Sequence, residues 1–160
     1  MKHVAVALVL VLVACSAQSA PQSATVAPTK AQAWLHEVAR AHAAADRAQS
    51  TVEAREALAR VRAQPVPGSV SGADQQRILK DVQFRLALLA LREADAQTAS
   101  QEADRGLNLG MIDDEFTANL WIVKGRAEAK LGHTQDATQA YASALQIHDR
   151  LLDQALKGKP

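Results

Sequence analysis

The chain has 160 residues, enough for one domain of ordinary size. Charged residues make up 22% of it and the net charge is +1, which excludes the basic field of a nucleic-acid binder and an acidic tail. Aromatic residues are only 3%, whereas alanine, the strongest helix former, supplies roughly a fifth of the chain, so an all-α protein of closely packed helices is expected.

Lys2 and His3 precede an unbroken apolar run from Val4 to Ala14. The run is too short to cross a bilayer, which takes about 20 apolar residues, and it fits the roughly 7–15-residue core of a secretory signal. The small residues Ala14, Ser16 and Ala17 also suit ordinary signal cleavage. The only cysteine, Cys15, ends the run, so no disulfide can form within the chain. Leu12-Val13-Ala14-Cys15 resembles the lipobox of bacterial lipoproteins.

That resemblance implies that residues 1–14 are a signal peptide cut before Cys15. It also implies that the Cys15 thiol carries a diacylglycerol and the new amino group an acyl chain. Each buried methylene contributes about 0.8 kcal/mol, and one chain holds only marginally. Three chains on one residue make attachment effectively permanent. Ser16, where aspartate would retain a lipoprotein in the inner membrane, is similar to those moved to the outer membrane of diderm bacteria. The periplasmic leaflet of that membrane is the address this implies. Residues 15–29 (Cys15, then "SAQSAPQSATVAPT") are small, polar and proline-punctuated, and cannot bury enough surface to offset their ordering entropy. They read as a lipidated cysteine and its tether.

Residues 30–160 read as six helices. Trp34, Leu35, Val38, His42 and Ala45 recur at helical spacing, until residues 46–50 break the stripe. Val52, Ala54, Leu58 and Val61 mark a short second helix, and "QPVPGSVSG" (Gln64 to Gly72) is the clearest internal break. Ser71 is placed to cap the third helix, with Asp74 as capping-box partner. That helix is apolar on more than one side and belongs in the middle of the domain. The fourth carries Ala96, Ala99, Ala103 and Leu107; Gly110 suits a left-handed stop, and Asp113 or Asp114 a cap for the fifth, from about Glu115 to Leu131. The acidic trio Asp113, Asp114 and Glu115 reads as negative charge at a helix start rather than a cation loop, for want of further ligand spacing. The sixth helix runs from about Gln135 to near Ala155.

"WIVKGRAEAKLGHTQDATQAYASAL" (Trp121 to Leu145) resembles a tetratricopeptide repeat. Trp121 and Gly125 take the aromatic and small positions of its first helix, Ala137, Tyr141 and Ala144 the small–aromatic–small series of its second, and Gly132 the turn between. Glu128 stands where the motif prefers tyrosine and Asp149 where it prefers proline. Weaker copies lie upstream. Trp34, Ala54, Ala57 and Leu58 repeat Trp121, Tyr141, Ala144 and Leu145, and Ala87, Ala94, Ala99 and Leu107 repeat Gly125, Gly132, Ala137 and Leu145. The resemblance implies a stack of about three antiparallel helix hairpins. With no proline at 149, Tyr141, Leu145, His148, Leu152 and Ala155 continue one stripe, so a long C-terminal helix is expected to cap the stack. The alternative is a plain helical bundle without a groove.

No signature of catalysis is present. None of the five histidines lies four residues from another, glycines only punctuate helices, and no serine or threonine sits in a nucleophile motif. His36 and His42 read as residues of a helix seam, so no enzyme, metal or cofactor is expected. By the repeat's geometry Asn119, Ile122, Arg126 and Lys130 face a groove, and Phe84, Leu88 and Arg92 extend it, the cations suiting acidic or C-terminal carboxylate groups. The expected function is a lipid-anchored adaptor of the cell envelope whose partner is a protein, not nucleic acid. The alternatives are a small apolar ligand carrier and a structural spacer.

Overall fold

A computed structural model of the chain describes residues 27–158 other than residue 111. Cys15, the lipobox and most of the tether lie outside the described residues. Among those described there are six α-helices and no strand: α1 (Lys30–Arg47), α2 (Thr51–Ala63), α3 (Gly72–Arg92), α4 (Ala96–Leu107), α5 (Glu115–Leu131) and α6 (Thr134–Lys157). None of these is long and apolar enough to cross a membrane.

Short polar residues start most of the helices. Thr29 caps α1 in a full capping box with Gln32. Ser50 accepts from the Glu53 amide at 3.2 Å, Asp95 from Thr98 at 3.0 Å and Asp114 from Thr117 at 2.7 Å. Ser71 caps α3 as expected, accepting from the Asp74 amide at 3.1 Å. The reciprocal contact differs, because the Asp74 carboxylate accepts from the Ser71 hydroxyl (2.6 Å) rather than from its backbone N–H. Gly110 also departs from expectation. α4 stops at Asn108, in right-handed conformation, and Gly110, at φ +142°, bends the loop two residues later.

Packing follows chain order: α1 on α2, α2 on α3, α3 on α4, α4 on α5 and α5 on α6, with α3 and α5 also adjacent. α3 is therefore central, as its two apolar sides require. Trp34 and Val38 of α1, Ala54, Leu58 and Val61 of α2, and Val82, Leu86 and Leu89 of α3 form one core cluster. Ala87, Ala103, Leu107, Leu120 and Val123 form a second, joining α3, α4 and α5. Small residues permit the close approach. A Cβ added to Gly106 would lie 2.7 Å from both Leu120 methyls, and one added to Gly125 would lie 2.7 Å from the Tyr141 ring.

The α3–α4 and α5–α6 corners are the same device, offset by 38 residues. Asp95 N–H donates to the Ala90 carbonyl and His133 N–H to that of Glu128, both at 2.9 Å. Ala94 N–H donates to Leu91 and Gly132 N–H to Ala129, both at 3.2 Å. Both corners turn through a left-handed residue, Ala94 (φ +60°) and Gly132 (φ +83°).

Two expectations about side chains need correction. Val52, assigned to the stripe of the second helix, is 62% exposed. α6 does run long and covers α5, with the Tyr141 ring against Gly125, but Leu145 and Leu152 of the expected stripe are exposed.

Candidate functional site

The residues expected to line a groove fall on α3 and α5, which pack against each other. Phe84 and Leu88 are half-buried, packed against the α3–α4–α5 cluster, and Arg92 one turn beyond Leu88 is exposed. On α5, Asn119 and Ile122 are half-buried while Arg126 and Lys130 are exposed. Their spacing of three and four residues sets all four on one side of that helix. Leu88 and Arg92 also share a crevice of about 110 Å³ with Asp46, Leu58, Arg85 and Leu89, between the first hairpin and α3. The four α5 residues instead form an open face.

Charges divide this surface in two. Beside α1, Arg85, Asp46, Asp81 and His42 are drawn together. Arg85 donates to Asp46 of α1 at 3.0 Å and to Asp81 of its own helix at 3.1 Å. His42 Nε2 lies 3.3 Å from Asp81 Oδ2. Burial pushes the His42 pKa below its ordinary value, against the opposing pull of Asp81. His42 thus lies in the α1–α3 seam, whereas His36 is exposed. Arg92, at the end of α3, and Arg126 and Lys130 of α5 have no carboxylate within 4.0 Å among the described residues.

A buried polar cluster lies at the α3–α5 contact. Lys80, with no exposed surface, donates from Nζ to Thr117 Oγ1 at 2.6 Å and lies 3.8 Å from Asp114 Oδ1. Burial lowers the Lys80 pKa, with Asp114 opposing. Lys80 stands in a mixed stretch beside Asp81 and Gln83, so nothing in the sequence marks it as buried. Its partner Thr117 is 37 residues away and carries no local mark. Asp114 is the α5 cap and Asp113 pairs with Arg150 (2.5 and 2.7 Å), so two of the acidic trio are accounted for without a cation.

At the α5–α6 corner, Glu128, His133 and Asp136 bring ligand atoms within 4.8 Å of one another. Both oxygens of Glu128 are already engaged, one accepting from the Ser100 hydroxyl (2.5 Å) and one against His133 Nδ1 (2.7 Å). Those bonds, Ser100 first, hold the Glu128 carboxyl below its usual range. The group serves as a clasp on the turn, reaching back to α4. On the far side of α1, a cleft of about 470 Å³ is lined by Trp34, His36, Arg40, Gln64, Pro65 and Pro67 among others. The Trp34 indole N–H is buried without an acceptor.

Compared with protein-family models, with curated proteins and with solved structures, the chain matches none.

Proposed function

We infer that the chain is a lipid-anchored adaptor that holds a protein partner of the bacterial cell envelope on the α3–α5 face. One observation carries the reading: Arg92, Arg126 and Lys130 stand without carboxylate partners beside half-buried Phe84, Leu88 and Ile122, on two adjacent helices. An apolar strip edged with unpaired cations suits a segment that is apolar and acidic, or one that ends in a carboxylate. The repeated corner at Ala94 and Gly132 supports a repeat stack similar to the tetratricopeptide hairpins, and such stacks bind along their first helices. The lipobox at Cys15, followed by Ser16, supports the anchor and the periplasmic leaflet of the outer membrane.

Replacing Arg126 and Lys130 by Glu is the test. The account expects the envelope protein that co-purifies with the wild-type chain to be lost while helicity is unchanged. Undiminished co-purification would remove this face from the account. Mass analysis of the mature N-terminus tests the anchor separately, and an unmodified Cys15 or a cut elsewhere would contradict it.

The cleft beside Trp34, with its unpartnered indole, supports a second reading, a carrier of a small, largely apolar ligand that bears a hydrogen-bond acceptor. Lipid extracted from protein carrying Cys15→Ser, and lost on Trp34→Phe, would favour the carrier over the adaptor.

A further inference from the structure

Two hollows lie along the α1–α2 hairpin and share Glu37, Arg40 and Gln64. The larger, about 470 Å³, has apolar walls of Ala33, Trp34, Pro65 and Pro67. The smaller, about 210 Å³, continues between the two helices to Arg60. Trp34 is 5% exposed and belongs to the core cluster of α1, α2 and α3, so it is held in place. Lys30, His36 and Arg40 around it are exposed.

The charges of this side are one-sided. Lys30, Arg40 and Arg60 line the two hollows, and Glu37 is the only acid that does so. Glu37 pairs with Arg40. Arg60 donates to the Glu56 carbonyl of its own helix at 3.4 Å, and neither Arg60 nor Lys30 has a carboxylate within 4.0 Å among the described residues. Cations at the edge of an apolar cleft suit an anion that carries apolar mass with it, such as a phospholipid headgroup on its acyl chains.

Position favours the lipid over a protein segment. Pro28 itself lines the larger hollow, so the chain passes its mouth just before α1 begins. Cys15 is 13 residues from Pro28, a length that spans at most about 43–47 Å. With Cys15 as the lipid anchor, the reading on which this inference rests, the cleft stays within that reach of the bilayer surface. Headgroups are then the anions it meets at the highest effective concentration. Tryptophan beside Lys and Arg is also the combination favoured where water meets hydrocarbon.

We propose that the Trp34 cleft is a membrane-contact surface, which takes anionic phospholipid headgroups of the bilayer that holds Cys15. Lys30 and Arg40 meet the phosphate, and Trp34, Pro65 and Pro67 meet the carbons beneath it. Each Lys or Arg at an anionic surface raises partitioning about fivefold, so three raise it on the order of a hundredfold. That is a weak attachment for a free domain and an effective one for a tethered domain. It also orients the molecule. With α1 and α2 at the bilayer, α5 and α6, at the other end of the packing order, are left clear for a partner. A carrier would use the same cleft differently, by taking the lipid out of the bilayer.

The test uses the chain from Ser16 onward, which keeps all six helices and lacks both the apolar leader and Cys15, so binding is read independently of the lipobox. It should sediment at low salt with vesicles of phosphatidylethanolamine and phosphatidylglycerol, less so at high salt, and not with vesicles of phosphatidylcholine. Lys30→Glu/Arg40→Glu should weaken binding at least about tenfold, with helical circular dichroism unchanged. Arg105→Glu/Lys157→Glu, the same change of charge at exposed positions of α4 and α6, should leave binding as it was. In Trp121→Phe, where Trp34 is the only tryptophan, lipid spin-labelled at the headgroup should quench the emission. Absence of binding at low salt, equal loss in both charge-reversed pairs, an unquenched Trp34, or lipid left in the supernatant with the protein would each overturn the proposal. Vesicle binding together with an unmodified Cys15 in cells would uphold the cleft and remove the anchor alone.

Discussion

Leu107 and Leu145 occupy the same register of two successive hairpins, yet Leu107 is 6% exposed and Leu145 61%. The difference is in the packing: α5 covers the side of α4 that carries Leu107, and among the described residues no helix covers that side of α6. Truncating the two should therefore give unequal results. Leu107→Ala should cost about 2–4 kcal/mol in urea unfolding, because it removes buried contacts and leaves a cavity. Leu145→Ala in dilute protein should stay within about 0.5 kcal/mol of wild type. Equal losses would contradict the register.

Ala94 holds a left-handed conformation that costs an L-residue with a Cβ roughly 1–2 kcal/mol, and Gly132 takes the same corner position without that cost. Ala94→Gly should raise stability by about 0.5–1 kcal/mol, the gain at the corner being partly offset by a more flexible unfolded chain. A lower midpoint in thermal unfolding would sink this reading of the corner.

Gly106 should tolerate no side chain. The added methyl of Gly106→Ala meets both Leu120 methyls, and Leu120 is fully buried with no room to turn aside. Overpacking of this kind costs about 1–3 kcal/mol, more than alanine's advantage in a helix returns. Calorimetry showing an unchanged or higher melting temperature would count against the α4–α5 packing.

Lys80 is buried where its charged form is disfavoured. Its folded pKa is lowered from 10.5, so folding favours the neutral amine. The stability that neutral form contributes is complete above pH 10.5 and is lost as pH falls through the folded pKa. Lys80→Met should abolish that alkaline dependence, since a side chain of similar length with no titratable group takes its place. Lys80→Ala should be destabilising, through the cavity. An unaltered alkaline profile in Lys80→Met would rule out Lys80 as its source.

Glu128 acts at the acid end. Its folded pKa lies below 4.5, so its contribution is present above pH 4.5 and lost as pH falls through the folded value. His42, lowered from 6.5 by burial, adds a loss of stability that begins as pH falls below 6.5. Glu128→Gln should flatten the lower part of the acid profile and leave the upper part in place. Ser100→Ala should shift the lower part toward higher pH, because the Ser100 hydroxyl is the first cause of the Glu128 shift. Acid titrations of both variants that overlay wild type would refute the clasp.

Local chemistry is what the sequence exposes most readily. Ser71 and Gly132 mark helix ends by residue type alone, Asp113 and Asp114 together mark the start of α5, and the helical stripes placed all six helices close to their observed bounds. The misses are of another kind. Ala94 turns through a conformation its residue type disfavours, and only its correspondence with Gly132 signals it. The bond from Lys80 to Thr117 joins positions 37 residues apart, so nothing local predicts it. Within the candidate site, the side of α5 that carries Asn119, Ile122, Arg126 and Lys130 was legible from periodicity. The pairing of Arg85 with Asp46, which separates the paired from the unpaired half of the surface, depends on how far α1 stands from α3. No single helix's pattern contains that distance.

The α3–α5 face as the place where a partner is held is the centre of this account, and site-specific photo-cross-linking in intact cells tests it most directly. A photoreactive residue at Ile122 should trap one envelope protein, the same residue at Gln97 on exposed α4 surface should not, and adding Arg126→Glu/Lys130→Glu should abolish the adduct. An adduct of equal yield from both positions, or one that survives the charge reversal, would contradict it.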